Sequence, residues 1–254
     1  LGRALTIFDL ECTAFRGRSN FGITEVCGFS VVPDGTAVIY GHLINPENAI
    51  DAKVVQLTGI TPAMVRDKET WGARYAKLFQ ELAATHWVGG FNNKTFDCPA
   101  VLDMNARYGQ PIPDGFAYVL DVRNLYLALE QPKSKKGNLV QIAAVYDVKP
   151  QGALHRAKAD VILTVETLDA MVAHYGVEAI MEVLARSPTA VAAKAAAEAQ
   201  TEVPVPAKAA REPAVVDIAA WTQAVDNVRT IDELAQKLGV ERKVAALELS
   251  KAID

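Results

Sequence analysis

The sequence has few cysteines, no long apolar run and no surplus of positive charge. Its three cysteines, Cys12, Cys27 and Cys98, are widely spaced and form no CxxC pair. That spacing argues against a thiolate zinc site and against a disulfide scaffold, and leaves free buried thiols in a reducing cytoplasm as the simplest account. No stretch approaches about 18 continuous apolar residues, so no membrane association is expected. Twenty-six Lys and Arg against thirty Asp and Glu give a formal charge of −4, which argues against a histone-like polycation. Gly89-Gly90 falls well short of a glycine-rich dinucleotide or phosphate loop.

Half of the 254 residues are hydrophobic, enough for a sizeable core in one domain or two. Leu1 to Asp9 reads as a strand and not as a signal peptide, and the absence of an initiator Met leads us to expect a few upstream residues. Strand patterns fall at Ala4 to Leu10, Glu25 to Val32, Thr36 to Ile44, Trp87 to Phe91 and Phe116 to Leu120. Pro33-Asp34-Gly35 supplies the turn of a hairpin. Helical patterns run over Asp51 to Leu57, Glu69 to Ala84, Phe96 to Tyr108, Leu139 to Tyr146 and Ala157 to Tyr175. Within the second of these, Trp71, Tyr75 and Phe79 recur at helical spacing and read as core. Interleaved strands and helices predict a five-stranded mixed α/β sheet with flanking helices.

Three acidic segments carry the chemistry. Asp9 and Glu11 are two apart at the end of the first strand, so both carboxylates leave one face of the sheet. Like charges so close resist burial unless a cation joins them, and hard oxygen ligands suit Mg²⁺ or Mn²⁺. A strand running out into a solvated loop is the bland alternative. Asn92 to Asp97 marks a hand-over from strand to helix at the same sheet end, where Asp97 could equally be a favourable helix-end charge. His155 precedes a helix that carries Asp160 within its first turns. A lone histidine is usually structural, but this one follows a Gln151-Gly152-Ala153 loop and lies five residues from an acid, which favours a proton-transfer role.

Together, Asp9-x-Glu11-x-Thr13, Asn93-x-x-x-Asp97 and His155-x-x-x-x-Asp160 resemble the three motifs of the DEDDh 3′–5′ exonucleases. That family includes proofreading subunits, exodeoxyribonuclease X, ribonuclease T and oligoribonuclease. The resemblance covers residues 4 to 176 and extends to Glu25, in a supporting role, and to Leu57-Thr58-Gly59-Ile60-Thr61. It implies a ribonuclease H-like fold and phosphodiester hydrolysis with two Mg²⁺ or Mn²⁺ ions. By that resemblance Asp9 bridges both ions, Glu11 and Asp160 complete one site, Asp97 supports the other, and His155 takes the proton of the attacking water. The sequence departs from the family at Cys12, where threonine is common, at Asn92, where histidine is frequent, and at Lys94, where a small residue is usual.

The expected substrate is a single-stranded 3′ end, DNA ahead of RNA. The alternatives are an exoribonuclease of the same fold and a nucleic-acid-binding scaffold that has lost its chemistry. Expected substrate contacts are Thr13, Phe15, Leu57, Ile60, Asn93, Arg156 and Lys158, with apolar groups stacking on terminal bases.

Residues 1–176 are expected to form the exonuclease domain, 177–212 a helix extension and Ala/Pro-rich linker, and 213–254 a small helical region. Ten of the twenty-three residues from Thr189 to Arg211 are alanine, interrupted by Pro204 and Pro206. Such a tether separates a catalytic body from an adaptor, so the last region is expected to self-associate or recruit a protein partner. A chain ended near Ser187 is expected to remain soluble, monomeric by light scattering and fully active. Loss of folding would mean that the tail packs on the body instead.

Overall fold

The computed structural model describes residues 4–31, 37–117, 119–133, 137–151 and 155–186, with the backbone of 229–230. Five strands form the expected mixed sheet: β1 (Leu5–Cys12), β2 (Ile23–Val31), β3 (Ala37–Leu43), β4 (Trp87–Gly90) and β5 (Val119–Asp121). A two-residue strand, β6 (Arg229–Thr230), adds to the edge of β3, giving the order β5-β4-β1-β2-β3-β6. β1, β2 and β3 pair antiparallel; β4 and β5 run parallel to β1. The Pro33-Asp34-Gly35 turn, the Ala/Pro-rich linker and the predicted C-terminal helices lie outside the described residues.

The helices are α1 (Ala52–Thr58), α2 (Pro62–Val65), α3 (Trp71–Thr85), α4 (Asp97–Arg107), α5 (Val122–Glu130), α6 (Leu139–Val145), α7 (Ala157–Tyr175) and α8 (Val177–Arg186). Gly59 ends α1 at φ 71°, a left-handed conformation that glycine adopts without a Cβ clash. Two helices, α2 and α5, exceed the sequence reading, whereas α8 lies within the expected helix extension. α5 follows β5 without a break, so no turn residue separates the two patterns, although Val122 and Leu125 face the core. α8 begins directly after Gly176 and buries Ile180.

Strand alternation divides β1 between two cores. Phe8, Leu10 and Cys12 join Trp71, Phe79, Val101 and Met104, the layer of α3 and α4. Ile7 joins Leu125, Val161, Ile162 and Met171, the layer of α5 and α7. Asp9 and Glu11 follow Ile7 at two-residue steps, so period two delivers them to the α7 face. The three cysteines are free and buried, as expected.

A polar network is built into the first core. Trp71 Nε1 donates to Asn105 Oδ1 at 2.8 Å, and Asn105 Nδ2 donates to the Ala76 carbonyl at 2.7 Å. The Trp71 and Phe79 rings stack at 5.1 Å, and Phe79 meets Phe8 edge-on at 5.1 Å. Asn105 therefore lets an indole N–H and a backbone carbonyl be buried without loss. Asn105→Ala strands the indole donor and should lower unfolding free energy by about 1–3 kcal/mol, measured by urea denaturation followed through tryptophan fluorescence. An unchanged midpoint would show that the network contributes nothing.

Candidate active site

The site lies at the end of β1 where the carboxylates emerge. Asp9, Glu11 and Asp160 are half-buried, and one oxygen of each can lie within 4.8 Å of the others. At that spacing two full charges in protein-like surroundings repel by on the order of 3 kcal/mol. Burial pushes the Asp9 carboxyl well above the usual range, and the charges of Asp97, Glu11, Asp160 and Glu25 push it further. Glu11 is pushed up to about 8 by burial and then by Glu25, Asp160 and Asp97, with Arg156 opposing. Asp160 is raised by burial, against the lowering effects of the His155 charge and of a hydrogen bond from the His155 backbone.

Asp97 opens α4 and is buried, and its Oδ1 accepts the Leu10 N–H at 3.2 Å. Burial pushes it up to about 8, while that N–H and its own backbone N–H pull the other way. Asn93, also buried, donates from Nδ2 to the Phe8 carbonyl at 3.0 Å. β1 pairs with β4 only as far as Ile7 and Gly89. Beyond that point the side chains of Asn93 and Asp97 supply hydrogen bonds to this edge of β1, one on each side of Asp9, while β2 pairs along the other edge. Gly90 makes the approach possible, because a Cβ there would sit 2.5 Å from the Phe8 carbonyl oxygen and 1.9 Å from Asn93 Oδ1.

α7 is placed from β2. Glu11 stands directly opposite Glu25 across the β1–β2 pair, so both side chains share one face. The buried Glu25 carboxylate accepts Arg156 Nη2 at 2.7 Å, Arg156 Nε at 3.2 Å and the Ala157 backbone N–H at 2.9 Å. This fork of bonds fixes the first turn of α7, in which Asp160 lies. Arg156 is thus engaged with Glu25. His155 precedes it, exposed, with a positive φ of 61°.

The other sequence-predicted residues divide by exposure. Phe15 is 80 % exposed and Leu57 55 %, whereas Ile60 is fully buried. Thr13 is buried; its hydroxyl donates to the Asn20 carbonyl at 2.5 Å and accepts the Gly22 N–H at 2.8 Å. Its carbonyl accepts the Asp51 N–H at 2.9 Å, tying the Phe15 loop to the start of α1, which carries Leu57. Lys158 is half-buried in the first turn of α7. One residue escapes the sequence reading: Asp121, buried at the end of β5, accepts the backbone N–H groups of Asn92, Lys94 and Asn124, each at 3.2 Å. Its signal is an acid at the N-cap of a helix that the sequence pattern merges with the preceding strand.

A family model described as exonuclease matches residues 6–168. The chain belongs to the exonuclease family. It is therefore a nuclease, and its ribonuclease H-like sheet is that of the DEDDh-type exonucleases. An uncharacterized exonuclease of Escherichia phage 186 is 30 % identical over 161 residues, covering 59 % of this chain and 79 % of the phage protein. E. coli exonuclease I, solved with a dT13 oligonucleotide, superimposes with a TM-score of 0.56 at 17 % identity, over 67 % of this chain and 41 % of that one. Exonuclease X, solved with 5′-overhanging duplex DNA, gives 0.52 at 21 % identity, over 71 % of this chain and 99 % of the other. This exonuclease spans less than half of exonuclease I, so the match concerns that part of the larger protein alone.

The donor set of Asp9, Glu11 and Asp160 is all-oxygen and rich in negative charge, which fits a hard divalent ion. Among the described residues no helix is long and apolar enough to cross a membrane.

Raised carboxyls mean that the folded, metal-free protein holds protons which the unfolded chain has released. Their stability contribution is complete below the unfolded carboxylate range and disappears as pH rises through about 8. The thermal midpoint of the metal-free protein should therefore fall from about pH 5 to about pH 8, and the gain on adding Mg²⁺ or Mn²⁺ should grow over the same interval. Scanning calorimetry of parent and Asp9→Asn protein checks this. Equal gains in both would place the ion elsewhere.

Proposed function

We propose that this exonuclease removes nucleoside monophosphates one at a time from the 3′ end of single-stranded DNA, using two Mg²⁺ or Mn²⁺ ions. The observation that carries the reading is the meeting of Asp9 and Glu11 from β1 with Asp160 from α7, beside Asp97 from α4. In this reading Asp9, Glu11 and Asp160 would hold one ion and Asp97 would support the other; such ions would lower the pKa of a water and neutralise charge on the phosphate. DNA as the substrate is supported by the DNA complexes of exonuclease I and exonuclease X.

His155 is the general base. Its side chain stands exposed at the rim, where it can accept a proton from water entering in line with the scissile phosphorus. The water oxygen forms the new P–O bond, the 3′ oxygen of the preceding nucleotide leaves, and the terminal nucleotide departs as its monophosphate. Asp160 steadies His155 by accepting its backbone N–H. Phe15 and Leu57 offer exposed apolar faces on two loops joined through Thr13, suited to stacking on the terminal bases. Ile60, Thr13 and Asn93 serve the substrate from below the surface by fixing those loops and β1. Lys158 contacts a backbone phosphate, and Arg156 acts through its bond to Glu25.

Matched DNA and RNA oligonucleotides labelled at the 5′ end test this directly. The expected result is a ladder shortening from the 3′ end, faster for DNA, dependent on Mg²⁺ or Mn²⁺ and reduced at least about 100-fold in Asp9→Asn. Early release of the labelled nucleotide would reverse the polarity. Internal fragments would replace exonuclease action by endonuclease action, and faster RNA trimming would transfer the role to RNA.

A further inference from the structure

We infer that Asp121 is a positioning residue for the reaction, setting the Asp9 carboxylate through the turn from Asn92 to Asp97. The inference rests on the proposed metal-dependent hydrolysis and assigns a task to a side chain that lies outside the ligand set.

The connection is continuous in hydrogen bonds. Asp121 Oδ1 accepts the N–H groups of Asn92 and Asn124, and Oδ2 accepts the N–H of Lys94. Asn92 has a φ of 62°, so the chain reverses sharply there, and its carbonyl accepts the N–H groups of Thr95 and Phe96. Between the two anchored residues, Asn93 reaches out to the Phe8 carbonyl. At the far end of the turn Asp97 receives the Leu10 N–H. The two peptide groups adjoining the Asp9 Cα are therefore held by a turn whose own position is set from β5. β4 brings the chain to the turn but pairs with β1 only through Gly89, so on this edge the turn takes over from strand pairing, while β2 pairs with Asp9 and Glu11 along the other edge.

A buried carboxylate is a costly way to cap a helix if capping is all it does. An asparagine or serine caps as well. Two acceptor oxygens aimed at two different elements are what a carboxylate adds. One oxygen serves the helix and the turn together; the other serves the turn alone.

That division supplies the test. Asp121→Asn retains a carbonyl oxygen for Asn92 and Asn124, so α5 stays capped, but directs an NH₂ group at the Lys94 N–H. If Asp121 only caps α5, the variant should match the parent. The positioning role predicts a fall in kcat of about 10- to 100-fold with oligonucleotide KM unchanged, and a higher Mn²⁺ concentration at half-maximal rate. A readout independent of activity is amide hydrogen exchange in metal-free protein. Exchange should accelerate at Lys94 and Leu10 and stay slow at Asn124. Should Asp121→Asn fail to fold, Asp121→Ser keeps the cap, is too short to serve the turn, and should show the same pattern. A kcat within twofold of the parent, or unchanged exchange at Leu10, overturns the inference. An inactive parent with accelerated Leu10 exchange in the variant overturns the nuclease reading and leaves the mechanical link intact.

Discussion

Both peptide groups beside the Asp9 Cα are held from outside their own strand: Asn93 takes the carbonyl before it and Asp97 takes the N–H after it. An acid that must stay fixed while surrounded by like charge needs a backbone that cannot retreat. On the β4 edge the ordinary means, strand pairing, ends at Ile7, although β2 pairs on to Cys12 along the other edge. Side chains continue the work where the strand stops, and the space they need exists because residue 90 has no Cβ. The fold around this point is arranged accordingly. β5 ends on Asp121, which anchors the turn, and α4 begins on Asp97, which closes it.

Charge sets the second condition. Asp9, Glu11, Asp97, Asp160 and Glu25 converge, and Arg156 is bonded among them to Glu25. This pairing has two consequences. It lets the cross-strand neighbours Glu11 and Glu25 occupy one face of the sheet. It also pins the start of α7, so that Asp160 is delivered to β1 by a rigid element, while His155 stands on the exposed approach to the same helix. The remaining carboxylates have raised proton affinities, and their all-oxygen donor set fits a divalent ion in place of those protons.

Much of this was legible in the residue order. Period two at Ile7, Asp9 and Glu11 specifies a common face, and helical spacing of Trp71, Tyr75 and Phe79 specifies a core. Those properties are local, determined by backbone geometry within a few residues. The Phe15 and Leu57 loops could be named from the sequence, but not which side chains surface there. Ile60 is as apolar as Leu57 and is buried, because the turn after Gly59 directs the next residue inward.

The sequence by itself determined most element types, the acidic motifs and their family, because strand and helix periods and motif spacing are properties of contiguous residues. Only the tertiary structure decided that Arg156 belongs to Glu25, 131 residues away, and that Asp121 supports Asn92 and Lys94. Such pairings depend on which surfaces the sheet order brings together. A charged residue chooses its partner from what packing places within reach, and sequence distance carries no record of that choice.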